Sequence, residues 1–216
     1  MLESKLGYFY IDPMPTEQEL DSYYSERYWS IRAGKSNLIN NRDLEHFLLL
    51  EPYIKNEANF SFLNFGAGHG GISHLVKLAK PLSNVINIEP SVMSFKHDSN
   101  WSVYSSIESV REKVDIIYGS HSLEHVNNLE KYQELFRSLL KPEGLVFWEV
   151  PNAFFPGNGG SDGKLHVPHT YYFTRLYFDN VYSKVIMNGC WNDRTFPSTL
   201  VDDEPEGGVI RFLGRF

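Results

Sequence analysis

Two groups of residues have types and spacings that can do chemistry. The first is Asn64-Phe65-Gly66-Ala67-Gly68-His69-Gly70-Gly71, which follows a short apolar run and opens a helical stripe. Glycines at such a junction allow a tight turn and close backbone approach, and the free N–H groups at the helix start attract a carboxylate or phosphate. Read as Gly66-x-Gly68-x-x-Gly71, the loop fits a dinucleotide fingerprint. Read as Gly66-x-Gly68-x-Gly70, it fits a loop that holds S-adenosylmethionine. Glu89 ends the next strand-like run, where a carboxylate can accept both hydroxyls of the adenosine ribose that both ligands carry. The second group is His121, Glu124 and His125, with His166 and His169 further along. Imidazoles suit a base working near neutrality. The same side chains are metal-ligand types at workable spacing, although no metal is assigned.

These residues need elements to place them. Phe60–Phe65 reads as a strand ending at the glycine turn, and Ile72, Leu75, Val76 and Ala79 form a helix stripe stopped by Pro81. Val85–Glu89, Val114–Tyr118 and Leu145–Val150 read as further strands, with Trp101–Tyr104 a weaker one. Leu129, Tyr132, Phe136, Leu139 and Leu140 mark a helix that ends before Pro142. Apolar strands alternating with helices predict a doubly wound α/β fold, its parallel sheet covered on both faces. Phe178, Val181, Tyr182, Val185 and Ile186 predict one more helix, ended by Gly189. Strands over Cys190–Phe196 and Gly208–Phe216 follow, close enough for an antiparallel hairpin.

Upstream, Thr16 and Glu19 form a capping box for a helix with Leu20, Tyr23, Tyr24 and Tyr28 on one face. A second helix over 40–50 carries Leu44, Phe47 and Leu48. Residues 1–58 therefore read as a cap, and 59–216 as the main domain. The long glycine-rich loop over 152–172 reads as a lid over an acceptor site.

Composition narrows the class. Of 216 residues, 42% are hydrophobic and 22% charged, enough for a core and a solvated surface, which excludes a disordered chain. The net charge of −7 disfavours nucleic acid and anionic membrane as partners. Cys190 is the single cysteine, so no internal disulfide forms. The N-terminus lacks an apolar leader, and the expectation is a cytoplasmic protein.

The stretches His121-Ser122-Leu123-Glu124-His125-Val126, Leu139-Leu140-Lys141-Pro142-Glu143-Gly144-Leu145 and Val150-Pro151-Asn152 are more specific than the glycine loop. On them the sequence resembles the class I S-adenosylmethionine-dependent methyltransferases, from about residue 60 to the end. The opening Gly7-Tyr8-Phe9-Tyr10-Ile11-Asp12-Pro13 also looks like the lead-in of small bacterial methyltransferases associated with sugar or capsule modification. The resemblance implies a Rossmann-like, mostly parallel seven-stranded sheet with an antiparallel C-terminal strand and a helical N-terminal cap. It further implies that Gly66, Ala67 and Gly68 line the methionine part of S-adenosylmethionine, and that Asn64 also binds the cofactor by accepting a hydrogen bond from its amino group. Glu89 would bind the ribose, Ser106 and Ile107 would flank the adenine, and Ser120 with His121 would border the sulfonium. Asn64 and Ser106 stand where the family commonly carries acids. His125, His166 and His169 are the candidate catalytic bases for O-methylation of a small-molecule acceptor, a sugar or related metabolite, and a homodimer is compatible. An inactive methyltransferase-like binding domain and a nicotinamide-dependent oxidoreductase are the rival readings.

Overall fold

The computed structural model describes residues 1–24, 39–90, 101–158 and 168–216. His166, Tyr28 and the middle of the expected lid lie outside the described residues. The chain opens with a hairpin, β1 (Leu2–Ser4) and β2 (Tyr8–Tyr10), turning through Gly7 at φ 93°. A Cβ on Gly7 would stand 2.7 Å from the Tyr177 backbone nitrogen, so both the left-handed φ and the close approach require glycine. Helix α1 (Glu17–Tyr23) begins directly after Thr16. In α2 (Asn41–Leu50) the Asn40 side chain accepts from the Asp43 N–H, and the Asp43 carboxylate accepts from the Asn40 N–H, closing a capping box.

Then come β3 (Ser61–Phe65), α3 (Gly71–Ala79), β4 (Asn84–Ile88), β5 (Ser102–Tyr104), β6 (Val114–Ser120) and α4 (Leu129–Leu139). The chain continues through β7 (Leu140–Pro151), β8 (Tyr171–Phe173), α5 (Arg175–Val181), β9 (Lys184–Asn192), β10 (Thr199–Val201) and β11 (Val209–Arg215). The large sheet runs β10-β9-β11-β7-β6-β3-β4-β5, and β1-β2-β8 form a small second sheet. β3, β4 and β5 pair in parallel, whereas β11 pairs antiparallel with β7 and β9. This is the expected doubly wound sheet with an antiparallel C-terminal side. Its eighth strand is the three-residue β10 on the edge of β9.

The described residues gather into two compact units: Glu17–Tyr118 with Glu134–Gly144, and Met1–Thr16 with Gly119–Gln133 and Leu145–Phe216. In the first, Phe62, Leu63, Val76, Ile86 and Phe136 are fully buried, and the Phe65 ring meets Phe136 edge-on at 5.1 Å. The second buries Phe147, Trp148, Phe173, Phe178 and Phe212. A hydrogen-bonded chain links four of its polar side chains. Trp148 Nε1 donates to Tyr182 Oη (2.7 Å), Tyr182 Oη to Gln133 Oε1 (3.1 Å), and Gln133 Nε2 to Tyr177 Oη (2.7 Å).

Three expectations need correction. The last helix ends at Val181 instead of running to Ile186, because 184–192 pairs along β11 as a strand. Val185 and Ile186 are β-branched and largely exposed, so a backbone ladder satisfies them better than a helix with no core to face. Gly189 then lies inside β9, opposite Arg211, and caps nothing. In α2 the buried face is His46, Phe47 and Leu50, while Leu44 and Leu48 point to solvent. His46 turns inward because its Nδ1 bonds the Tyr118 hydroxyl at 2.8 Å. Finally, the expected helical cap also contains a strand pair, since β1 and β2 find a partner in β8. No helix among the described residues is long and apolar enough to cross a membrane.

Candidate functional site

The glycine loop belongs to the first unit. Gly66, Gly68 and Gly70 have φ of 70°, 55° and 75°, a region that costs other L residues roughly 1–2 kcal/mol each. The N–H groups of Gly66 and Ala67 donate to the Ile88 carbonyl at 3.0 and 2.9 Å, stitching the loop to the end of β4. The Gly68 N–H donates to Glu89 Oε2 at 2.8 Å, and the Glu89 side chain is buried. α3 starts at Gly71 with no side-chain cap, and its first backbone bond is His74 N–H to Gly70 carbonyl. The N–H groups of its opening turn therefore keep the positive end of the helix dipole for a ligand. A backbone edge that attracts an anion, beside a carboxylate that accepts hydroxyls, fits a molecule carrying both a carboxylate and a ribose.

Beneath the loop, Asn64 Nδ2 donates to Ser73 Oγ at 2.9 Å, and the Ser73 hydroxyl donates to Asn87 Oδ1 at 2.6 Å. All three side chains are buried, so a neutral network ties β3, α3 and β4 together where an acid would demand a counter-charge. Ser106 caps the single turn Ile107–Ser109 and donates to Glu108 Oε2 at 2.7 Å. Ile107, the next residue, is buried.

The second unit holds His121, His125 and His169. Ser120 ends β6, and its Oγ donates to Glu149 Oε1 at 3.0 Å. His121 takes a left-handed φ of 49°, held there by its N–H bond to the Glu149 carbonyl at 2.9 Å. Its imidazole lies between two buried carboxylates, Nδ1 at 3.3 Å from Glu124 and Nε2 at 3.5 Å from Glu149. Glu149 is directly opposite Arg211 across β7 and β11, and their side chains pair at 2.8 Å in the interior. Burial pushes the Glu124 carboxyl up, but the imidazoles of His125, His121 and His169 outweigh it and hold it down at about 2. His125 and His169 stack edge to face at 4.9 Å, and His125 Nε2 is 3.8 Å from Glu124.

The structure thus brings Asn64, Gly66, Ala67, Gly68 and Glu89 together in one unit, with Ser106 and Ile107 on the turn after β5. It gathers Ser120, His121, His125 and His169 in the other. Sequence reasoning missed Glu149, Arg211 and Thr170. Glu149 and Arg211 did leave a signal, since each is a lone charge inside an apolar strand run and such charges must pair. Thr170 left none. Its buried hydroxyl and N–H reach the Glu124 carbonyl, both at 2.8 Å, and only the fold makes that approach.

A family model described as "Methyltransferase domain" matches residues 40–193, a span that includes both the glycine loop and the histidine cluster. No curated protein matches the sequence. Among solved structures, the fold is similar to the CcbJ methyltransferase from Streptomyces caelestis, at 11% identity and a TM-score of 0.60, covering 90% of this chain and 98% of that one. It is similar to an S-adenosylmethionine-dependent methyltransferase from Clostridium acetobutylicum, at 11% identity and 0.54, covering 92% and 98%. Coclaurine N-methyltransferase bound to N-methylheliamine and SAH matches at 15% identity and 0.54, covering 83% of this chain, which spans 60% of that longer one. At such identities the likeness concerns the fold, and the family rests on the sequence match. The chain belongs to the methyltransferase-domain family.

Proposed function

We propose that this chain methylates an oxygen of a small polar acceptor, a sugar or related metabolite of surface-glycan assembly. The observation that carries the acceptor chemistry is the gathering of His121, His125 and His169 around the buried Glu124. A hydroxyl must lose its proton to accept a methyl group, and this cluster is where the chain concentrates groups for that task. The lead-in at Gly7–Pro13, similar to that of glycan-associated methyltransferases, supports the acceptor class.

The cofactor in this reading is S-adenosylmethionine, which when bound supplies an electrophilic methyl group on a sulfonium. Gly66, Ala67 and Gly68 hold its amino-acid end, Glu89 accepts its ribose hydroxyls, and Ser106 and Ile107 flank its adenine. The chain's remaining work is to align the acceptor oxygen and handle its proton. His125 and His169 do so here, joined by His166. Glu124 keeps the imidazoles oriented, and Thr170 fixes His169 beside it.

Two measurements test this reading. Calorimetric titration should show binding of S-adenosylhomocysteine and none of NAD; binding of NAD alone would overturn it. With labelled S-adenosylmethionine and a panel of hydroxylated sugars and nucleotide sugars, His125→Ala and His169→Ala should lower turnover about 10²–10⁴-fold with cofactor affinity nearly unchanged. Near-normal turnover in these two variants and in His166→Ala would remove the histidines from the mechanism.

A further inference from the structure

The cluster around Glu124 has a property that acid–base work does not explain. Glu124 lies on the single turn Leu123–His125, and its side chain is 1% exposed. Neither carboxylate oxygen receives a well-aligned hydrogen bond from any described residue. An ionised carboxylate removed from water without donors costs several kcal/mol unless a cation stands close. Three imidazoles face it, and one atom each from Glu124, His125 and His169 lie within 4.8 Å of one another. Their positions are fixed from behind. The Thr170 hydroxyl and N–H reach the Glu124 carbonyl at 2.8 Å, and the hydroxyl also reaches the Val126 carbonyl at 2.5 Å. The His125 N–H donates to the Ser122 carbonyl at 3.1 Å. His169 is thereby stapled to the turn that carries the other two.

We propose that Glu124, His125 and His169 bind one divalent first-row transition-metal ion, with coordination positions left open. Two imidazoles and a carboxylate are borderline donors that favour zinc, manganese, iron or cobalt over magnesium or calcium. Metal–nitrogen and metal–oxygen bonds of about 2.0–2.2 Å at tetrahedral angles place two donors on one ion about 3.3–3.6 Å apart. The present separation of up to 4.8 Å closes to that by side-chain shifts totalling about 1.2–1.5 Å. Three protein ligands are the number that leaves room for a small oxygen donor. His121 lies outside the triad, with Nδ1 at 3.3 Å from Glu124 and Nε2 at 3.5 Å from Glu149. An ion here would acidify a hydroxyl occupying an open position, which is how His125 and His169 would act on the acceptor's proton. That use rests on the methyl-transfer reading, whereas binding of the ion does not.

The test reads metal binding without activity. Full-length protein, stripped with chelator and dialysed, is titrated with Co²⁺ while visible absorption is followed, and with Zn²⁺ by calorimetry. One equivalent should bind, with ligand-field bands characteristic of nitrogen and oxygen donors. His169→Ala should weaken binding about a hundred-fold or more, beyond what loss of an outer-shell partner costs. Glu124→Gln should do the same; circular dichroism shows whether each variant is folded, and the half-buried His169 keeps the test decisive if the Glu124 variant is not. Binding far below one equivalent, or unchanged affinity in folded His169→Ala, overturns the site. Titration of S-adenosylhomocysteine into the stripped protein separates the two ideas. Cofactor binding without metal binding rejects only the metal site, and metal binding without cofactor binding rejects only the methyl-transfer reading.

Discussion

The glycine loop and the histidine cluster solve opposite problems with opposite materials. Around Gly66–Gly70 the working atoms are mostly backbone: N–H groups, left-handed glycines and one carboxylate that accepts from Gly68. Around Glu124 they are side chains drawn from β6, β7, β11 and the segment before β8. A backbone site tolerates change in most side chains and fails only where φ or close approach is special. A side-chain site instead depends on charges that burial makes costly, so each member is held by another. His121 shows the contrast within a single residue. Its left-handed φ resembles that of the loop glycines, but it is held by Glu149 through both backbone and ring.

The sharpest way to break the comparison is to remove one member of the buried pair. Arg211→Ala removes the guanidinium that pairs buried Glu149 and should destabilise the protein by about 3–5 kcal/mol in chemical denaturation. A loss below about 1 kcal/mol, the scale of an exposed ion pair, would show that the charge pairing in this unit is incidental. Cofactor binding comes next. Glu89→Ala should weaken S-adenosylhomocysteine binding by about 1.5–3 kcal/mol in calorimetry, the range for hydrogen bonds to a charged group. Equal affinity in a folded variant would reduce Glu89 to a brace for the Gly68 N–H.

Smaller effects sharpen the backbone side. Gly68→Ala places a side chain at φ 55° and should cost roughly 1–2 kcal/mol in thermal or denaturant unfolding. An unchanged midpoint would mean that the loop can adopt another conformation. The smallest effect is at Cys190, whose thiol burial pushes up to about 12, with Glu204 adding to the rise. Because the folded state keeps this proton longer than the unfolded chain, its contribution is complete below about 9 and fades as pH climbs toward about 12. Native protein at pH about 8, below the ordinary thiol range, should accordingly resist iodoacetamide, while unfolded protein reacts; rapid native labelling would contradict the burial.

Much of this was legible in the linear sequence, and the reason lies in locality. Strand β3, the glycine turn and α3 form one continuous stretch in which apolar period, glycine spacing and helix start agree. The end of β4 falls beside Glu89 because a buried parallel strand must stop where its apolar run does. The segment around Tyr182 was harder. Phe178, Tyr182, Val185 and Ile186 match a helical period, yet α5 closes at Val181 and residues 184–192 join β11. Which of the two patterns wins there depends on a pairing partner about thirty residues away, and local periodicity holds no record of it.

By itself the sequence determined the alternation of strands and helices, the place of the glycine loop, the carboxylate at Glu89 and the family. Each of these is written in neighbouring residues, where period, turn chemistry and spacing act directly. Only the tertiary structure decided that Glu149 meets Arg211, that His121 stands between two carboxylates, and that Thr170 brings His169 to Glu124 and His125. Those meetings depend on strand register and on loop closure across dozens of residues. Burial makes them strong, since a charge inside the protein must find its partner, but residue type alone does not say which partner the fold will supply.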